Sequence, residues 1–168
     1  MTVSAYRFHR EATATLAAPV EVVFALLDDP AHIGAHMGRR SAMMAGALMR
    51  TETDTRHGQA VGSVIRMAGR VLGVNLTLEE AVIERVPPHR KAWETLSEPK
   101  LLVIGRYRMG FDLRPVASKV DLKVWSDYDL PARGVPRWLR EPLGRVYADW
   151  CVRQMVREAA QAFGGERP

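Results

Sequence analysis

Tyr107, Tyr128, Tyr147 and Trp150 are the residues of this sequence best placed to do chemistry. Each falls in phase with apolar neighbours, so each is expected on an inward-facing surface. A buried tyrosine hydroxyl needs a hydrogen-bond partner. Hydroxyls that converge in a cavity orient a ligand carbonyl or hydroxyl, or act as general acids. Otherwise each meets a backbone carbonyl or a water, as buried tyrosines ordinarily do. Arg66 and Glu80 are charges inside apolar runs. An inward arginine would hold a carboxylate or phosphate through two parallel hydrogen bonds. The pattern favours the plainer reading, an outward cross-strand ion pair between the two.

Three further groups have a chemical reading beside a plain one. His32 and His36 stand four residues apart on a helix-like segment, a spacing that can chelate zinc. No third ligand completes a set, so no metal site is expected, and His36, beside Met37, is assigned to a cavity mouth instead. Cys151 reads as a small core hydrophobe, because neither Val152 nor Tyr147 beside it is a base that would make it a nucleophile. Met37, Met43, Met44 and Met49 form a soft stretch, either a gate over an apolar pocket or a loosely packed flap. The chain has no GxSxG, HExxH or P-loop, and no GxGxxG leading into a helix. It therefore does not read as a serine hydrolase, a zincin, an NTPase or a dinucleotide oxidoreductase, and no cofactor is expected.

The elements that must position these side chains come from periodicity. Residues 6–17 alternate as a strand, and Val20 to Asp28 is helical, followed by a short helix over 31–38. Strands are expected at 50–55, 62–70, 71–86, 90–96, 101–114 and 119–130, punctuated by His57-Gly58, Pro87-Pro88 and Glu98-Pro99. Pro142 suits the first turn of a helix, so a short turn at 136–141 and a main helix at 142–163 are expected, ending at Gly164-Gly165. Such a helix is about 33 Å long. Leu139, Leu143, Val146, Tyr147, Trp150, Gln154 and Met155 recur on its apolar side. Strands and helices are segregated along the chain, which makes the fold class α+β with an antiparallel sheet covered on one face.

Length and charge bound the rest. The 168 residues fit one domain, 1–168, large enough to bury a core without staples, and the single cysteine excludes an internal disulfide. No apolar run reaches membrane-spanning length, so a soluble, cytoplasmic protein without integral membrane insertion is expected. The net charge of +5 favours anionic company, but no basic run with interleaved aromatics points to nucleic acid, and none is expected as a partner. Trp125 and Trp138 are expected to be partly exposed, which leaves monomer and homodimer both open.

The opening strand leading into APVEVVFALLDDPAHIGAHM (18–37), the Pro87-Pro88 turn before Trp93, and the closing amphipathic helix together resemble the helix-grip superfamily. That group includes START lipid-transfer domains, plant pollen-allergen proteins and polyketide cyclase/dehydrase-like (SRPBCC) proteins. The resemblance covers about residues 9–163. It implies a curved antiparallel sheet gripping the long C-terminal helix, two short helices after the first strand, and an apolar cavity between sheet and helix. Placed on that frame, the lining residues are His36, Trp93, Tyr107, Met109, Phe111, Tyr128, Tyr147 and Trp150. The expected function is binding of a hydrophobic small molecule such as a lipid, isoprenoid or polyketide. The alternative is a cyclase or dehydratase in which Tyr107, Tyr128 or His36 moves protons.

Overall fold

A computed structural model describes residues 6–33, 48–71 and 73–164. Its elements in chain order are β1 (Phe8–Leu16), α1 (Val20–Asp28), α2 (Pro30–Ile33), β2 (Leu48–Thr53), β3 (Val64–Val71), β4 (Val74–Val86), β5 (Arg90–Thr95), β6 (Tyr107–Val116), β7 (Lys119–Tyr128) and α3 (Arg137–Phe163). The short connections between β2 and β7 make each strand pair antiparallel with the next. β1 then lies against β7, which gives one seven-stranded sheet in the order β1-β7-β6-β5-β4-β3-β2. The register of β4 on β5 shifts between Val82 and Glu84, an irregularity of the kind that bends a strand.

α1 forms because apolar residues recur at helical spacing behind Pro19, whose carbonyl accepts from Val22 and Val23. Its buried face is Val20, Val23, Phe24 and Leu27, and Phe24 meets Phe111 of β6 edge-on at 5.7 Å. The C-terminus of α1 is pinned from below. Lys91, buried on β5, donates to the Asp28 carbonyl at 2.6 Å and pairs with its carboxylate at 2.8 Å, while Arg85 grips the same carboxylate. α3 packs on β1 and β7, and α1 on β6. Ile65, Met67, Leu78, Val82 and Trp93 on β3 to β5 are buried in the same core.

Several expectations shift. The last helix is one element, with Pro142 inside it rather than at its start. Proline there removes one hydrogen bond near the helix end, on a solvent-exposed turn next to the largely exposed Trp138. The expected face of the helix is met in part, with Tyr147 and Met155 buried. Leu143 and Val146 are exposed, and the buried stripe is Gly144, Tyr147, Ala148, Cys151, Val152, Met155, Val156, Ala159 and Ala160. Small residues win that face because they let the helix axis approach the sheet. A Cβ on Gly144 would sit 3.0 Å from the Val103 carbonyl oxygen. Gly164 closes the helix in a left-handed conformation with its N–H on the Ala160 carbonyl. β6 begins at Tyr107 instead of 101, because residues 101–106 leave the ladder. Trp125 is buried rather than partly exposed, flanked by the guanidinium groups of Arg90 and Arg108 on the outer face of the sheet. The helix expected at 31–38 is described only as Pro30–Ile33. His36, Met37, Met43 and Met44 lie outside the described residues, while Met49 is buried on β2.

Candidate functional site

The expected Arg66–Glu80 ion pair does not form. Strand alternation sends Glu79 outward, and it takes Arg66 at 2.7 Å, which leaves Glu80 on the inner face with Leu76, Leu78 and Val82. Glu80 is 2% exposed, a carboxyl group inside an apolar core. Tyr107 of β6 donates its hydroxyl to Glu80, and the Trp93 indole N–H of β5 also donates to it. Burial pushes Glu80 up to about 7, against the opposing pull of those two hydrogen bonds. At neutral pH this carboxyl is therefore poised between holding and releasing a proton.

Two groups of α3 complete the cluster. Tyr147 and Cys151, one turn apart, share a hydrogen bond. Burial pushes the Cys151 thiol up to about 12, so it stays protonated and inert. Tyr107 is held well above the usual tyrosine range by burial and by the Glu80 charge beside it, and Tyr147 by burial and by Cys151. The Glu80 carboxyl acts electrostatically on both tyrosines. The cluster thus holds one proton-exchanging acid, two tyrosine hydroxyls that remain donors, and an indole.

Of the residues assigned to a cavity from sequence, Trp93, Tyr107 and Tyr147 come together around Glu80. Phe111 is fully buried as a wedge against α1. Met109 is half-buried on β6, opposite Trp93. Tyr128 is buried, pairs in register with Tyr107 and stacks on Phe8 at 5.4 Å. Its hydroxyl has no hydrogen-bond partner among the described residues. Trp150 is half-buried and belongs to a different place, a surface groove between β1 and α3. His36 lies outside the described residues. His32 is exposed and bonded to Asp29 at 3.2 Å. Among the described residues, no group of three or more His, Cys, Asp or Glu side chains could hold a metal ion. Glu80 was visible in the sequence as an acid in the apolar phase of β4. That phase was the signal for an inward carboxyl, and the adjacent glutamate supplied the outward partner for Arg66.

An open groove of about 520 Å3 lies at the rim of the fold, between the start of β4, residues 98–102 and residues 131–134. Val74, Leu76, Pro99, Leu101, Leu102 and Pro131 give it an apolar lining. Leu76 is on the same strand face as Glu80. No helix of the described residues is long and apolar enough to cross a membrane.

The same architecture recurs in solved structures. The aromatase/cyclase Zhui from Streptomyces sp. R1128 matches with a TM-score of 0.62 at 18% identity, covering 92% of this chain and 94% of that one. A protein of Chromobacterium violaceum matches with a TM-score of 0.62 at 19% identity, covering 92% and 96%. The ginseng major latex-like protein 151 from Panax ginseng matches with a TM-score of 0.57 at 12% identity, covering 90% and 95%. At these identities the likeness is one of fold. No curated protein matches the sequence. The family described as polyketide cyclase / dehydrase and lipid transport matches over residues 7–164, nearly the whole chain, and together with the gripped C-terminal helix it assigns the protein: the chain belongs to that family.

Proposed function

We propose that the protein binds a hydrophobic small molecule, of lipid, isoprenoid or polyketide type, which enters at the rim groove beside β4 and reaches the interior between the sheet and α3. The observation that carries this reading is the apolar rim groove, whose floor residue Leu76 shares a strand face with Leu78 and the buried Glu80. Four residues of strand place Glu80 roughly 13 Å beyond Leu76. A ligand seated there lays its apolar length along Leu76 and Leu78 and presents a polar end to the Glu80 carboxyl and the Tyr107 hydroxyl. A mostly apolar surface with a few convergent polar groups is the usual character of a small-molecule site. Membership of a family that covers polyketide chemistry and lipid transport supports the same ligand class.

The test is native mass spectrometry after incubation with a lipid and metabolite extract, together with uptake of an environment-sensitive apolar dye. The expected result is one retained species per chain and saturable dye uptake, both lost in Leu102→Arg, which places a charge at the half-buried rim. A protein that takes up neither ends the reading.

A second reading, a cyclase or dehydratase, is favoured by Glu80 itself, since an acid pushed up to about 7 exchanges a proton at neutral pH. Glu80→Gln separates the two readings, because it keeps an acceptor for Tyr107 but cannot carry the proton. Lost turnover of a poly-β-ketone analogue with unchanged affinity supports the enzyme. Absence of turnover by the unaltered protein leaves binding alone.

A further inference from the structure

Val146 and Trp150 were expected against the sheet, but both line a groove of about 420 Å3 on the surface between β1 and α3. Its rim carries Arg10 from β1 and Arg145, Arg153 and Arg157 from α3. Among the residues that line the groove the one carboxylate is Asp149, and Arg153 already holds it at 2.7 Å. Arg145 and Arg157 are exposed, and among the described residues neither has an ion-pair or hydrogen-bond partner. Arg10 is half-buried on the inner face of β1, and among the described residues it donates to its neighbouring carbonyl, that of His9, at 2.6 Å.

Several like charges lining one concave surface repel one another and focus a positive potential there, which an anion relieves. Guanidinium groups match multi-oxygen anions through paired, charge-assisted hydrogen bonds. A second observation points the same way. The buried Tyr128 hydroxyl, without a hydrogen-bond partner among the described residues, lies within the field of Arg10 and Arg145, ahead of the opposing field of the Glu141 and Asp149 carboxylates. The floor is apolar and aromatic, with the Trp150 ring at 5.9 Å from that of Tyr147. A ligand that fits carries its negative charge at one end and a flat or apolar body at the other.

We propose that this groove binds a phosphate-bearing ligand, the phosphoryl oxygens held by Arg10 and Arg145, with Arg157 adding to the positive field from the far end of the groove and the attached apolar body lying on Trp150. The site is separate from the interior around Glu80 and stands whether or not that interior binds anything. The phosphoryl group belongs either to a free small molecule or to a lipid headgroup.

The test has two arms on the whole protein. Pyrophosphate is titrated by calorimetry at low ionic strength, and vesicles of phosphatidylcholine with and without phosphatidic acid are used for co-sedimentation. The key variant is Arg145→Gln with Arg157→Gln. Both side chains are exposed and unpaired among the described residues, so its thermal melt stays that of the unaltered protein. Arg70→Gln with Arg114→Gln, exposed arginines of β3 and β6, changes net charge by the same amount. The expected result is saturable binding in at least one arm, weakened by about tenfold or more in the groove variant and unchanged in the control variant. Binding of pyrophosphate alone assigns a free phosphorylated molecule, and binding of phosphatidic acid vesicles assigns a lipid headgroup. No binding in either arm, or equal loss in both variants, overturns the proposal.

Discussion

Two buried polar groups of the core behave in opposite ways. Glu80 has hydrogen-bond donors and an ordinary ionisation near 4.5 in the unfolded chain, against about 7 in the fold. Below pH 4.5 both states hold the proton, so the carboxyl is neutral and the fold carries no penalty from it. As pH rises from 4.5 to 7 the unfolded chain releases a proton that the folded one keeps, and stability falls. Above about 7 the loss is complete, at about 3 kcal/mol from about 1.4 kcal/mol per pH unit. Urea unfolding at pH 4.5 and pH 8.5 should therefore show Glu80→Gln gaining about 3 kcal/mol on the unaltered protein at the higher pH relative to the lower. The lowered carboxyls of Asp28 and Asp127 contribute equally to both proteins and cancel. An equal pH dependence would mean that Glu80 ionises freely and is not the buried acid described. Tyr128 is the contrasting case, a fully buried hydroxyl with no partner among the described residues. Removing an unsatisfied buried group costs nothing and returns its desolvation penalty, so Tyr128→Phe should leave stability unchanged or raise it by about 1 kcal/mol. A loss of more than about 1 kcal/mol in the same measurement would reveal a satisfied hydroxyl.

The sheet and α3 depend on close approaches that side-chain size decides. Gly110 of β6 sits opposite Ala92 and Trp125, and a Cβ there would fall 2.6 Å from the Lys91 carbonyl oxygen and 2.6 Å from the Trp125 ring. Gly110→Ala should cost about 1–3 kcal/mol in a urea melt, despite the entropy it removes from the unfolded chain. Trp125→Ala should not restore it, because the carbonyl is backbone and cannot move aside. Full recovery in the double variant would show that the ring alone set the limit. The same principle explains what the sequence left hidden. The order of strands and helices was legible from the two periodicities and the punctuating prolines and glycines. The face of α3 was legible only at Tyr147 and Met155. Leu143, Val146 and Trp150 mark an apolar stripe, yet the helix turns its small residues to the sheet, since Gly144, Ala148, Cys151, Ala159 and Ala160 permit a closer axis. Hydropathy ranks leucine above glycine at a helix interface, whereas packing distance ranks them the other way. Lys91 was hidden for a related reason. A lysine in a strand reads as solvated, and only the fold brings the Asp28 carboxylate and carbonyl over it. At Glu80 strand alternation already gave the inward direction, and the preference for exposed charges overrode it.

On the scale of the whole molecule, α3 covers β1 and β7, while the rim groove opens at the start of β4. The sheet is therefore gripped by α3 on one side and grooved at its rim on the other, where the proposed ligand enters. On the proposed binding reading, such a ligand binds the folded chain alone, so at about a hundredfold excess over its dissociation constant it adds about 2.7 kcal/mol of stability. For a chain of this size that raises the melting temperature by roughly 5–10 °C. The polar cluster makes the response selective. A pure hydrocarbon gains burial along Leu76 and Leu78 but leaves the Glu80 end without a new partner. A long-chain ketone or alcohol of equal length gains the same burial and also meets the carboxyl and the Tyr107 hydroxyl. A thermal-shift series of paired alkanes, ketones and alcohols should therefore show shifts for the oxygenated members that exceed those of their hydrocarbon partners. In Glu80→Leu with Tyr107→Phe that excess should vanish while the common apolar part persists. Equal shifts for both members of each pair would place the ligand away from Glu80, and the link between the rim groove and the buried acid would then be lost.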